Sequence, residues 1–334
     1  MDETPELHSD VEETARRIAE MEVRGAASIA DAAAAALGTQ AATAESETPE
    51  AFRRTMRAAA RRLYETRPTA VSLPNALRYV LSGMDGDDVE TLQTTVQQRV
   101  SAFRDDLDDA QDRLGQIGAG RFSDGDVVMT HCHSSDALSC IEAAVESGAD
   151  IEAVVKETRP RKQGHITASE LRELGVPVTL IVDSAAHSFL DDVDHVLVGA
   201  DSIAADGSVI NKIGTAGLAV SARDRGVPVV VAAQSIKLHP KTLTGTAVAI
   251  ERRDIREVLD EETHEDIGAA EVANPAFDVT PPRHVDAIVT EHGQFPPESI
   301  VTLMRELFGD SVSEPWTDPD GTGATGASAA SGGE

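Results

Sequence analysis

From residue 126 onward the chain alternates short, β-branched apolar runs with stretches of helix length, and few folds accept that pattern. The runs cover residues 126–130, 151–155, 176–182, 195–198, 227–232 and 285–290. Near-continuous apolar strands separated by helices predict an open, mainly parallel sheet with helices on both faces, an α/β architecture. In such sheets ligands bind beyond the carboxyl ends of the strands. The residues just after each run are therefore where chemistry is expected.

The preceding sequence has a different texture. Residues 10 to about 117 are rich in Ala, Arg and Glu, with helix-period apolar positions over 11–21, 26–37, 49–64 and 87–114. Gly25, Gly38, Pro68 and Pro74 punctuate them. The glycine-bearing run 115–125 is read as a boundary. The expected organisation is a helical domain over 1–117, a catalytic α/β domain over 118–315, and a disordered Gly-, Ala-, Ser- and Asp-rich tail over 316–334. The charged segment 252–271 is read as a peripheral helix or insertion.

Charge narrows the function. The 334 residues carry 29 Lys and Arg against 58 Asp and Glu, a net charge of −29, and only 3% are aromatic. That composition opposes a nucleic-acid surface, a base-stacking platform and an anionic membrane. An acidic, lysine-poor surface suits a salt-rich cytoplasm, where screening relieves self-repulsion. Lys156, Lys162, Lys212, Lys237 and Lys241 are the only lysines, which marks their segment for specific work. Cys132 and Cys140 fit neither a CxxC pair nor a zinc site, and free thiols suggest a reducing compartment. The N-terminal residues lack an apolar signal core and no stretch approaches the ~18 apolar residues of a membrane span. A cytoplasmic protein is expected.

Two strand ends stand out. Cys132 follows the first run and precedes a helical stretch, where the helix dipole and free N–H groups should lower a thiol pKa, with protonated His131 and His133 adding to the effect. A small buried core cysteine is the competing reading, and it is the one adopted for Cys140. His131, Cys132 and His133 do not converge on a metal, because adjacent strand residues face opposite ways. Asp201 follows the fourth run among small and apolar residues, where desolvation should raise its pKa enough to carry a proton. A cap on the next turn accounts for the same Asp equally well. Candidate anion sites are Arg24-Gly25-Ala26 before a helix, Arg67 in a loop, Arg159 and Arg161 after the second run, Asn211 and Lys212 after the fourth, and Lys237 after the fifth. Repeated at successive strand ends of so acidic a chain, they point to a phosphorylated ligand.

Taken together, Val23-Arg24-Gly25-Ala26, Arg67-Pro68-Thr69-Ala70-Val71, Thr130-His131-Cys132-His133-Ser134, Glu157-Thr158-Arg159-Pro160, Gly199-Ala200-Asp201-Ser202-Ile203 and Asn211-Lys212-Ile213-Gly214-Thr215 carry a resemblance. The chain resembles the superfamily of methylthioribose-1-phosphate isomerases, archaeal ribose-1,5-bisphosphate isomerases and regulatory subunits of the eukaryotic initiation-factor nucleotide exchanger. The resemblance implies a helical N-terminal domain on a Rossmann-like C-terminal domain, with Cys132 as base and Asp201 as proton donor. It implies substrate contacts from Arg24, Gly25, Ala26, Ala27, Arg67, Ser134, Ser135, Asp136, Asn211, Lys212 and Lys237. It further implies a homo-oligomer (dimer or hexamer), AMP as a nucleotide activator, and no metal or redox cofactor. His133 after the cysteine, the lysine of Ser235-Ile236-Lys237-Leu238-His239-Pro240 and the scarcity of aromatics favour a ribose bisphosphate over methylthioribose 1-phosphate. The exchanger subunits generally lack the cysteine–aspartate pair, which disfavours a binding-only role.

Overall fold

A computed structural model describes residues 5–82, 84, 86–268, 270–309 and 314–317. Five helices precede the first strand: α1 (Ser9–Ala19), α2 (Ala26–Thr43), α3 (Pro49–Tyr64), α4 (Ser72–Leu81) and α5 (Val89–Ala119). Their starts are written in the sequence. Thr48 caps α3 by accepting from Ala51 N at 3.2 Å, with Pro49 next, and Asp88 caps α5 by accepting from Thr91 N at 2.8 Å. The helices close on a core that includes Ile18, Leu37, Phe52, Met56, Leu63, Leu77 and Leu92.

Three expectations need correcting here. Pro74 does not end a helix. It lies in the first turn of α4, where a missing N–H costs nothing. Gly115 and Gly118 do not form a linker but sit inside α5, so the expected division at 117/118 falls within its last turn. Both glycines let α5 press against the helix after the first strand. A Cβ at 118 would lie 2.2 Å from Cys140 Sγ, and one at 115 would lie 2.9 Å from the Ser139 carbonyl oxygen. Finally, Trp316, assigned above to the tail, is 1% exposed in the helical core, with its ring centroid 4.9 Å from that of Tyr64. Residues 318–334 of that tail lie outside the described residues.

The α/β unit runs β1 (Val127–His131), α6 (Ser135–Glu146), β2 (Glu152–Lys156), α7 (Gly164–Glu173), β3 (Val178–Ile181), α8 (Ala186–Phe189) and β4 (His195–Gly199). It continues through β5 (Ser202–Ile203), β6 (Val209–Lys212), α9 (Thr215–Arg225), β7 (Val229–Ala232), α10 (Glu261–Asp266), β8 (Phe277–Thr280), β9 (Ala287–Thr290), β10 (Gly293–Phe295) and α11 (Ile300–Phe308). All six expected runs are strands of one sheet, ordered β10-β9-β7-β4-β1-β2-β3 and parallel except for β10. Burial on both faces explains their continuous apolarity. Val229 and Val231 enter the core on one face while Val230 and Ala232 enter the other. A small antiparallel sheet, β5-β6-β8, was not foreseen.

The order places a topological switch point between β1 and β4: the chain leaves β1 toward β2 and β3, then returns to β1's other side as β4. In open α/β sheets that crevice is where ligands bind. Gly199 keeps it narrow, since a Cβ there would lie 2.2 Å from Ser134 Oγ, the N-cap of α6. No helix among the described residues is long and apolar enough to cross a membrane.

Candidate active site

Cys132 follows β1 and Asp201 follows β4, so the two sequence-predicted residues flank the switch point. Cys132 is buried and has a backbone φ of +72°, and Thr158, just beyond β2, has φ +64°. A left-handed conformation costs a residue with a Cβ roughly 1–2 kcal/mol. Surrounding bonds must enforce both. The Cys132 N–H donates to Thr158 Oγ1 at 2.8 Å, and the Cys132 carbonyl accepts from Thr167 Oγ1 at 3.0 Å.

The expected depression of the thiol pKa is overturned. Burial pushes Cys132 up to about 11, and the nearby Lys212 ammonium only partly opposes it. His131 gives no help, because its own burial pushes it down to about 4, leaving it neutral near pH 7. Its Nε2 lies 2.8 Å from the Ile213 carbonyl, while His133 Nδ1 lies 3.1 Å from Thr167 Oγ1, so the two rings serve different neighbours.

Asp201 behaves as expected. Water reaches the side chain, yet protein surrounds it, and desolvation raises its pKa. Lys212, Lys237, Arg67 and Arg253 all oppose that shift, which puts four cations around one carboxyl. Lys212 is itself buried and lowered by desolvation, with Cys132 and Asp201 its leading stabilisers. It ends β6, a strand of the small sheet rather than a loop, and its Nζ stands 5.0 Å from the Phe277 ring centroid.

The remaining predicted residues divide. Gly25, Ala26 and Arg67 line one recess with Ser72, Asp201 and Glu251. Gly25 is the N-cap of α2, so free N–H groups face that recess. Arg24 is exposed and donates from Nε to the Met21 carbonyl at 2.6 Å, and Ala27 packs on the helical core instead. Ser134 caps α6, Ser135 is exposed in its first turn, and Asp136 is buried. Asp136 Oδ2 accepts from Lys237 Nζ at 2.7 Å and from Gln234 N at 3.0 Å. Lys237 therefore meets the site already paired. Asn211 Nδ2 donates to Thr215 Oγ1 at 3.1 Å.

Glu251 and the segment read as peripheral after it supply what sequence reasoning missed. Glu251 takes Arg67 at 3.0 Å and stands 3.4 Å from Arg253 Nε, and Glu257 takes Arg161 Nε at 3.0 Å. The Arg253 side chain is only 10% exposed, and its Nε makes no hydrogen bond among the described residues. Nothing in the local composition distinguishes it from the exposed arginines beside it.

Known proteins share the sequence and fold of this chain. The chain is 67% identical over 94% of its length to a ribose 1,5-bisphosphate isomerase of Haloterrigena turkmenica, 99% of which is covered. Among solved structures, translation initiation factor eIF-2B of Pyrococcus horikoshii superposes with a TM-score of 0.76 at 28% identity, covering 88% of this chain and all of that one. The 5-methylthioribose 1-phosphate isomerase of the same organism gives 0.71 at 31% identity, covering 90% and 88%. The model of the initiation factor 2 subunit family matches residues 22–297, most of the fold just described, and the chain belongs to that family.

Proposed function

We propose that this chain is an intramolecular aldose–ketose isomerase converting α-D-ribose 1,5-bisphosphate to D-ribulose 1,5-bisphosphate. The observation that carries it is a thiol and a raised carboxyl at the two strand ends flanking the switch point, ringed by Arg67, Lys212, Lys237 and Arg253 in a protein of net charge −29. The 67% identity to a relative named for that reaction supports the substrate.

Because the C1 hydroxyl is esterified, the sugar cannot open simply to an aldehyde. Cys132, as thiolate, takes the proton from C2. The C2 electrons form the C1–C2 double bond, the bond from C1 to the ring oxygen breaks, and Asp201 gives that oxygen its proton. The enol phosphate then gains a proton at C1 and loses one from the C2 hydroxyl, which leaves the ketone. Lys212 is the cation that stabilises both the thiolate and the charge developing on Asp201. Gly25, Ala26, Arg67, Arg253 and Lys237 hold the phosphates, with Ser134, Ser135 and Asn211 as further contacts and buried Asp136 holding Lys237. As an oligomer, dimer or hexamer, activated by AMP in the cytoplasm, the enzyme serves nucleotide salvage.

The test is incubation of the protein at molar salt with ribose 1,5-bisphosphate and, separately, methylthioribose 1-phosphate, with products identified by NMR. Ribulose 1,5-bisphosphate is expected. Preferential turnover of methylthioribose 1-phosphate overturns the substrate, and tight binding of either without conversion overturns the enzyme in favour of a sugar-phosphate sensor.

A further inference from the structure

Beyond their carboxyl ends, β3, β2 and β1 are laced together by side chains where the backbone ladder stops. Asp183, just after β3, accepts from Thr158 N at 3.1 Å through Oδ1 and from Arg159 N at 2.7 Å through Oδ2. Thr158, just after β2, accepts from Cys132 N at 2.8 Å. Its own hydroxyl proton has two acceptors in reach, the Lys156 carbonyl at 3.0 Å and His131 Nδ1 at 3.2 Å. On the other side of Cys132, Thr167 of α7 donates to its carbonyl at 3.0 Å. Thr158 and Thr167 are 1% and 4% exposed, so water does not compete for these bonds.

We propose that Thr158, anchored by Asp183 and matched by Thr167, is a positioning residue that holds Cys132 in its left-handed conformation and thereby aims the thiol into the crevice. A strand continuing past His131 would carry residue 132 in extended conformation, with its N–H available to the next strand. Here a hydroxyl takes that N–H, and a second hydroxyl takes the carbonyl, so both peptide groups flanking the Cα are fixed while φ stays at +72°. Thr158 can serve because it is itself turned to φ +64°, a conformation rare for a β-branched residue, and Asp183 is what holds it there. The hydroxyl's remaining partners, the Lys156 carbonyl and His131 Nδ1, belong to the ends of the two strands it joins, so its bonds all serve the placement of the backbone around Cys132.

The proposal rests on Cys132 acting as the base, and its test separates the two. Thr158→Val keeps the side-chain shape and removes the hydroxyl, and Thr158→Ser restores it. Three readouts are taken at molar salt: kcat, KM, and iodoacetamide labelling of Cys132 and Cys140 resolved by mass spectrometry. Thr158→Val should lower kcat about tenfold, equal to about 1.4 kcal/mol of barrier, with KM within about twofold. Released from its pose, Cys132 should label several-fold faster while Cys140, buried in α6, does not change. Thr158→Ser should recover most of both effects. Asp183→Asn keeps one acceptor oxygen on a partly exposed side chain and should give an intermediate loss; it carries the test should the valine variant not fold. Wild-type kcat and Cys132 labelling in Thr158→Val, or in Asp183→Asn where that variant stands in, overturns the proposal. Faster labelling of both cysteines also overturns it, because that reports general loosening. Full turnover by Cys132→Ser ends the base assignment instead, and the labelling contrast then still decides whether Thr158 holds Cys132.

Discussion

Lys212 and Asp201 should move the reactivity of Cys132 in opposite directions. Iodoacetamide reacts with the thiolate, and burial pushes Cys132 from an ordinary 9.0 up to about 11. Two pH units correspond to about 2.7 kcal/mol against the thiolate. At pH 8 the reactive fraction is then on the order of one in a thousand, about a hundredfold below an ordinary thiol. The labelling rate of the resting protein should therefore climb tenfold per pH unit from 8 to 10 without a plateau. Lys212→Met removes the cation that draws the pKa down and should slow labelling at fixed pH. Asp201→Asn removes an anion that holds the pKa up and should speed it. Turnover should not follow labelling upward, because the thiolate fraction of Cys132 grows with pH while the protonated fraction of the donor Asp201 shrinks, so kcat/KM should stay level where labelling climbs. Labelling that saturates below pH 9, or changes in the same direction in both variants, refutes the electrostatic account of the pair.

Gly118→Ala tests the seating of α5 on α6. Helix propensity alone favours Ala by about 1 kcal/mol, but the new Cβ would meet Cys140 Sγ at 2.2 Å and Cβ at 2.9 Å, and overpacking costs about 1–3 kcal/mol. A lower Tm, partly restored by adding Cys140→Ala, is expected; a higher Tm for the single variant shows that the helices are not in contact there. Arg253→Met should lower kcat/KM for ribose 1,5-bisphosphate about 10- to 100-fold, the scale of a hydrogen bond to a charged group, and a wild-type value removes Arg253 from substrate binding. At ~10 mM salt the net charge of −29 should cost structure or activity that returns at molar salt; equal melting temperatures in both exclude adaptation to a salt-rich cytoplasm.

What the sequence disclosed depended on how locally each feature is encoded. The six parallel strands were legible because burial on both faces writes itself as an apolar run, and Cys132 and Asp201 followed from looking past the ends of those runs. The sheet β5-β6-β8 was not legible: its strands are two to four residues long, and β6 pairs with β8 across all of α9, β7 and α10. Gly115 and Gly118 look like a linker until α6 lies against them. The thiol pKa was misjudged for a reason of magnitude. A helix terminus contributes about 0.3–1 kcal/mol at an exposed site, whereas the burial shift at Cys132 is worth about 2.7 kcal/mol. Arg253 had no local signal at all, because what makes it part of the site is the fold bringing the Glu251–Arg253 stretch beside Arg67 and Asp201.

The five lysines tie the surface to the site. Lys156, Lys212 and Lys237 are 3%, 7% and 7% exposed, and burying a cation requires a counter-charge. Lys237 has buried Asp136 at 2.7 Å, and Lys156 has Asp183 at 4.0 Å. Lys212 has no ion-pair partner of that kind among the described residues. Its stabilising neighbours are Cys132 and Asp201, two groups whose desolvation favours their protonated forms. With Arg253 and Arg161 pushing its pKa down further, the crevice holds positive charge that the resting protein leaves under-compensated. On the proposed function a phosphate dianion supplies what is missing, and its arrival moves Lys212 back toward its charged form. High salt does not undo that attraction to the same degree that it quiets the exterior. Screening acts over about 3 Å at 1 M and weakens interactions between exposed charges far more than those between buried ones. The acidic surface and the cationic crevice can therefore coexist: the salt that relieves repulsion among the exposed carboxylates leaves the buried cations their attraction for an anion.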